Sequence, residues 1–360
     1  MRLDPTHTII STTDTGLHDD LRARLSAAYT GRELPSMEHH VDVQIYALKD
    51  LIRRKYISTT QQTRPLDWAS SRNADPSNYI RLIESAGMFF GVCSDVPRLG
   101  KLLEVFRQRF GPKKTDKSDA GSLLAYLTTV APAHKLAGRI VNERAAPEAE
   151  EKGDMLASFM QRGLSNKQCE AEFLTQLVAG SDTTANFLLR RCGKISTPVT
   201  GAEGKALPYL QAFIWECFRF QPPLFMLFPK VMPPEGDVLA GQKVPGGTNI
   251  GIDSWSMARR EEIFGKDADV FRPVRFLEAS PEHRLLMERT AELVFGSGRW
   301  VCIGKVIAHL ELNKIYVELL RDFDFQVMDL EKPYTISHRS MFFIRDVWLR
   351  VTERDNSKTE

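Results

Sequence analysis

Residues 293–312 read LVFGSGRWVCIGKVIAHLEL. One cysteine, Cys302, stands among glycines at 296, 298 and 304, directly ahead of an apolar, helix-forming run. Glycine lets a backbone turn tightly and come close to a ligand face. The positive end of a helix beginning near residue 304, with its unpaired N–H groups, favours a thiolate over a thiol. Such a thiolate can attack as a nucleophile or ligate a metal. A nucleophile wants a base beside it, and the local histidine, His309, lies two turns down that helix. The plain alternative is a buried, inert cysteine in a turn, and spacing alone leaves it open.

The rest of the chain narrows the choice. Its 360 residues are enough for one large domain or two ordinary ones, and 42% hydrophobic with 26% charged residues is a globular composition. The formal net charge is only +2, which gives no case for nucleic acid as a partner. Five cysteines, at 93, 169, 192, 217 and 302, include no CxxC pair, which argues against zinc ribbons and fingers, and their wide spacing favours a reducing compartment over a disulfide scaffold. The N-terminus lacks a signal-peptide pattern, and no run reaches the ~20 apolar residues that cross a bilayer.

Periodicity predicts a mainly α chain with a minor β part. LHDDLRARLSAAYT and HVDVQIYALKDLIRRKYI carry apolar residues at three-and-four spacing. VPRLGKLLEVFRQRF reads as a further helix and GPKKTDKSDAGS as a polar loop. The longest helix is expected over 165–192, with Ser165 and Gln168 as a reciprocal N-terminal cap and Gly193 ending it. A second is expected over 206–219, with Pro208 in its first turn. DVLAGQKVPGGTNIGI predicts a hairpin around Gly241, FRPVRFLEAS a loop, and Val347, Leu349 and Val351 the alternation of a strand.

Three further clusters bear on Cys302. AGSDTT, Ala179–Thr184, puts Gly180 inside the long helix, where glycine costs about 1 kcal/mol against alanine. A threonine hydroxyl there can bond the carbonyl one turn back and bend the helix, and Asp182 supplies an acid beside Thr183. A solvated polar face with a tolerated glycine is the bland alternative. ECFR places Glu216 and Arg219 three apart on one helix face, which is most often a surface ion pair. HDDLR places His18 and Arg22 four apart, which a plain amphipathic surface explains almost as well.

The order F-G-x-G-x-x-x-C-x-G over Phe295–Gly304, with Ala308 beyond it, resembles the haem-thiolate signature of cytochromes P450. The other clusters fall in that family's order. AGSDTT resembles the acid–alcohol pair over the haem iron, with Asp182 and Thr183 as catalytic residues. Glu216 and Arg219 resemble the ExxR motif, and Arg275 in FRPVRF its partner arginine in a structural network. His18 and Arg22 resemble the helix that meets a haem propionate. The tract from PKVMPPEGD to FRPVRFLE is similar to fungal members of the pisatin-demethylase-like type.

The resemblance implies a cytochrome P450 fold across residues 1–360 as a single domain, with the haem-binding core at about 165–350. It implies haem b with Cys302 as the axial iron ligand, and Phe295 and Arg299 among its binding residues. The reaction implied is insertion of one oxygen atom of O2 into an apolar small molecule, in fungal secondary metabolism. Electrons would come from NADPH through a separate reductase, at the cytoplasmic side of the endoplasmic reticulum or, with no anchor in the chain, in the cytoplasm. Two other readings stand beside it: a haem-binding but inactive remnant, and an isomerase or dehydratase on the same fold. The second loses ground because those members tend to lack the Asp–Thr pair kept here at 182–183.

The pattern also departs from the family. The anchor and several elements that usually precede a segment like LHDDLRARLSAAYT are not in the chain, so an N-terminally truncated fold is expected. About a dozen residues, CGKISTPVTGAEG, stand where the family inserts another helix, and the stretch around DWASSRNADPSN is short. Arg299 lies three residues before Cys302, whereas most members place their arginine two before it, where Trp300 stands. Low stability is expected of a chain shortened in this way.

Overall fold

In the computed structural model the described residues are 8–57 (less 11, 13 and 32–36), 135–185 (less 151) and 198–354 (less 225–228 and 340). The helix expected at VPRLGKLLEVFRQRF, the loop at GPKKTDKSDAGS and the helix end at Gly193 lie outside them. The chain divides into two compact units. One comprises Met1–Leu207, Ile303–Ile336 and Ile344–Glu360; the other comprises Pro208–Cys302 and Ser337–Phe343.

The first unit is mostly helical: α1 (Thr15–Tyr29), α2 (Met37–Lys55), α3 (135–145), α4 (Met155–Gln161), α5 (Asn166–Ala185) and α6 (Gly201–Lys205). Asp14 caps α1 by accepting the Leu17 N–H at 2.9 Å. The expected cap of α5 is present: Ser165 Oγ accepts the Gln168 N–H at 3.4 Å, and Gln168 Oε1 accepts the Ser165 N–H at 3.0 Å. The α5 backbone is helical through Ala185, and residues 186–192 of the longer expected helix are not described. Ile9, Leu21, Leu25, Tyr29, Leu156, Phe159 and Cys169 make one buried cluster of this unit.

The second unit begins with α7 (Pro208–Phe220), with proline in its first position where the sequence predicts it within the first turn. The short helix α6 precedes it, separated by residues 206–207, where the periodicity had suggested one element starting at 206. Strands β1 (Lys230–Val231), β2 (Asp237–Leu239), β3 (Gln242–Val244) and β4 (Asn249–Ile250) follow. They pair antiparallel as β1 with β4 and β2 with β3, the latter in the register Asp237↔Val244 to Leu239↔Gln242. The hairpin expected around Gly241 is there, and its two loop residues, Ala240 and Gly241, both have positive φ, 50° and 80°. That is the turn whose twist matches a two-residue hairpin.

Next come α8 (Ser254–Met257), α9 (Glu261–Phe264), α10 (Arg275–Glu278) and α11 (Pro281–Glu292). FRPVRFLEAS is therefore not all loop: residues 275–278 close one helical turn, because Phe276 is fully buried in a cluster with Ala212, Phe264 and Met287.

The first unit resumes with α12 (Lys305–Asp322), followed by β5 (Phe323–Val327) and, at its end, β8 (Leu349–Glu353). β5 and β8 pair antiparallel from Phe323↔Glu353 to Val327↔Leu349. Leu349 and Val351 are buried, as their alternation predicts, while Val347 lies just before the strand. Between them β6 (Thr335–Arg339) and β7 (Met341–Arg345) form a hairpin. Helices α2 and α12 are joined by buried ion pairs: Lys314 meets Glu38 at 2.7 Å and Asp42 at 2.9 Å, and Lys49 meets both Glu318 and Asp322 at 2.9 Å. The fold is mainly helical with a minor β part. Among the described residues, no helix is long and apolar enough to cross a membrane.

Candidate haem-thiolate site

In the second unit, residues 293–302 fold back on themselves. Two single 3-10 turns, Leu293–Phe295 and Gly298–Trp300, flank a bend at Gly296 and Ser297. Gly296 and Gly298 have φ of 77° and 59°, the left-handed region that side chains disfavour. A Cβ at Gly296 would also stand 3.1 Å from the Trp300 carbonyl oxygen. Gly304 differs, since its φ of −78° suits any residue and the turn does not require glycine there. The Cys302 N–H closes the loop on the Phe295 carbonyl at 2.7 Å. Cys302 itself is exposed, which removes the reading of an inert cysteine sealed in a core.

Phe295 braces the loop from below. Its ring meets Phe218 of α7 edge-on, centroids 5.0 Å apart. Phe218 lies between Glu216 and Arg219, so a single helix both supports the cysteine loop and carries the ExxR pair.

That pair is fully buried and not a surface bridge. The Glu216 carboxylate takes Arg219 in two parallel bonds of 2.7 Å each. It also accepts the Arg272 backbone N–H at 2.6 Å and Arg275 Nε at 3.2 Å. The remaining guanidinium hydrogens reach carbonyls: Arg219 donates to Ala258 and Ala268 at 3.0 and 2.6 Å, and Arg275 to Asp267 and Val270 at 2.9 and 2.8 Å. Arg275 also meets the Asp267 carboxylate at 3.0 Å. The structure brings Glu216, Arg219 and Arg275 together, with Asp267 and the Arg272 backbone as further partners. The signal for Asp267 was its place eight residues before Arg275 in GKDADVFRP, which no periodicity marks.

Lys230 is a second residue the sequence did not mark. Its ammonium stands 4.2 Å over the Trp300 ring, a cation–π contact beside the cysteine loop, and burial lowers its pKa. The tryptophan that occupies the usual arginine position thus carries a cation on its face. Arg299 sits in the same loop, two residues before Val301.

In the first unit, His18 and Arg22 lie one turn apart on α1. His18 is 2% exposed, with Nδ1 3.2 Å from Asp19 Oδ1, so this turn of α1 is not a plain amphipathic surface. Asp182 and Thr183 fall within α5, where the backbone is helical. This unit also holds a cavity of about 580 Å³ lined by α2 (including Val41, Ile45 and Leu48), Phe173 and Gln176 of α5, and Ile307 and Ile315 of α12. His18 and Arg22 do not line it.

The chemistry of the donor set fits a haem-thiolate centre: an exposed thiol on a braced loop, with cations at 230 and 299 in the same unit. The Cytochrome P450 family model matches residues 194–350. A cytochrome P450 monooxygenase ABA1 of Pyricularia oryzae is 35% identical over 98% of this chain and 77% of its own length. A cytochrome P450 monooxygenase aba1 of Botryotinia fuckeliana is 34% identical over 95% of this chain and 75% of its own. The alignment with the first runs over 405 positions, although 98% of this chain is only about 353 residues, so roughly fifty positions of that relative have no counterpart here. Among solved structures, the haem domain of cytochrome P450DA superposes with a TM-score of 0.64, covering 94% of this chain and 78% of its own at 15% identity, a likeness of fold. The chain belongs to the cytochrome P450 family of haem-thiolate oxidoreductases, in the monooxygenase class.

Proposed function

We propose that Cys302 is the axial ligand of haem b in this chain, and that the enzyme oxidises an apolar small molecule of fungal secondary metabolism. The observation that carries the assignment is the exposed Cys302 on a loop whose other end, Phe295, rests on the helix of the buried Glu216–Arg219–Arg275 network. Haem, when bound, supplies the activation of O2 by which one oxygen atom enters the substrate and the other leaves as water. The chain's own residues bind and orient it. Cys302 donates its thiolate, Phe295 and Trp300 offer aromatic surface, and Arg299 with Lys230 supplies positive charge for the propionates. The resemblance gives His18 and Arg22 on α1 a haem-propionate role. The Asp182 carboxyl and the Thr183 hydroxyl hold and pass protons from α5. Electrons come from NADPH through a separate reductase, at the cytoplasmic face of the endoplasmic reticulum by analogy with the family. Residues 1–360 act as one P450 domain in this reading.

The test is the spectrum of the reduced protein with carbon monoxide. Thiolate ligation gives a strongly red-shifted Soret band, and Cys302→Ala abolishes it while the protein stays folded. A red-shifted band that persists in Cys302→Ala overturns the assignment.

A second reading, a haem-binding remnant without turnover, is favoured by the roughly fifty positions without counterpart. Substrate-dependent NADPH consumption with a reductase separates the two.

A further inference from the structure

We infer that Glu172 is a proton-dependent latch: its neutral carboxyl holds the turn at Thr8–Ile10, and with it the approach to α1, against α5, and its ionised form releases that turn.

Glu172 lies on the first half of α5 and is 0% exposed. Its Oε1 accepts the Ile9 N–H at 2.8 Å. Its Oε2 is buried without a hydrogen-bond partner among the described residues. The Thr12 N–H bonds the Thr8 carbonyl at 3.1 Å, and Asp14 caps α1 two positions further on. Ile9 belongs to the apolar cluster that also holds Leu21 and Leu25 of α1, Val141 of α3 and Leu156 of α4. One side-chain–backbone bond, between residues 163 positions apart, thus joins the entry of α1 to α5.

The neighbouring titratable groups offer an ionised Glu172 no help. On its own helix, Cys169 has its thiol pushed up to about 11 by burial and by Glu172 and Glu170. Glu170 adds negative charge and lies against Gly138 of α3. On α1, His18 is turned to Asp19, and Arg24 pairs with Asp20. The turn itself contributes the Ile9 N–H, and no cation acts on the carboxyl among the described residues. Burial raises the Glu172 pKa from 4.5 to about 7, opposed in part by the Ile9 bond. A folded-state pKa above the unfolded one gives stability that is complete below pH 4.5 and lost as pH rises through 7. The stranded Oε2 can regain water when one side of the contact opens. The turn is the side to move, because α5 is a helix of 20 residues.

The test compares the purified protein with Glu172→Gln, which keeps an oxygen for Ile9 and cannot ionise. Hydrogen exchange at the Ile9 amide is followed at pH 6 and pH 8.5, each rate corrected for intrinsic base catalysis. Opening in the parent chain should rise roughly tenfold across that interval, levelling off above pH 7, because a carboxyl of pKa 4.5 when opened and about 7 when closed favours opening only up to the closed value; it should stay flat in the variant. Equal rises in both proteins overturn the latch. Should Glu172→Gln fail to fold, carboxyl carbon-13 NMR of the glutamate-labelled parent decides alone. A buried carboxyl titrating near neutrality, in step with the Ile9 amide shift, supports the latch. A folded protein in which every glutamate titrates near 4.5 overturns it.

Discussion

Phe218 stands edge-on to Phe295, centroids 5.0 Å apart, and this contact ties the buried Glu216–Arg219 pair to the loop that ends in Cys302. Glu216, Phe218 and Arg219 share less than one helical turn. The same rigid segment therefore carries an ion network on one side and an aromatic brace on another. Disturbing the network shifts the helix, and the helix carries the brace. In this way two motifs separated by some eighty residues of sequence act on one loop.

Glu216→Gln should expose that coupling. The substitution leaves Arg219 and Arg275 buried with carbonyl partners but without their shared countercharge. Breaking a buried pair by removing one partner costs roughly 3–5 kcal/mol. Urea denaturation should show a loss in that range, and the carbon monoxide spectrum should lose its red-shifted band at urea concentrations the parent tolerates. A loss under 1 kcal/mol would mean that the network is a passenger.

What the sequence made legible follows a pattern. Gly296 and Gly298, the Ser165–Gln168 cap and the Ala240–Gly241 turn each answer to a local backbone requirement, and local requirements leave a local mark. Leu349 and Val351 were readable because a strand with one buried face alternates. Burial of His18 and the lysine pairs between α2 and α12 were not readable. Lys314 and Glu38 are 276 positions apart, and the spacing of charges on one helix reports its own faces without naming what packs against them. Asp267 and Lys230 were missed for the same reason. The short helix at 275–278 was missed because Phe276 is buried by distant residues, Phe264 and Met287, that outweigh the turn formers around it.

Ala240 is the place to gain stability. Its φ of 50° puts a β-carbon in the left-handed region, at an exposed hairpin tip. That conformation costs a non-glycine residue roughly 1–2 kcal/mol, and asparagine tolerates it better. Ala240→Asn should raise stability by about 0.5–1 kcal/mol, seen as a higher thermal midpoint, with the spectrum of bound haem unchanged. A fall in the midpoint would place the hairpin turn in another conformation.

Lys314→Met tests the join between α2 and α12. Lys314 is 1% exposed and serves two carboxylates, Glu38 at 2.7 Å and Asp42 at 2.9 Å. The Lys314 bond is the chief cause that lowers the Glu38 pKa below 4.5. For Lys314, burial lowers the pKa, but the bonds from Glu38 and Asp42 outweigh it and raise it above 10.5. A lowered acid gives stability present above pH 4.5 and lost as pH falls through the folded value. A raised base gives stability present below pH 10.5 and lost as pH climbs past it. The pair thus supports the fold across the whole interval between those limits. Removing the lysine strands Asp42, whose side chain is 14% exposed, while Glu38 keeps contact with water, so the loss at neutral pH should sit at the lower end of roughly 3–5 kcal/mol. Below pH 4.5 the loss should shrink, because the Glu38 carboxylate, whose pKa the lysine holds down in the parent, takes up its proton there. Urea midpoints of parent and variant that converge as pH drops from 7 to 3 confirm the pairing, and a gap that stays constant across that range refutes it.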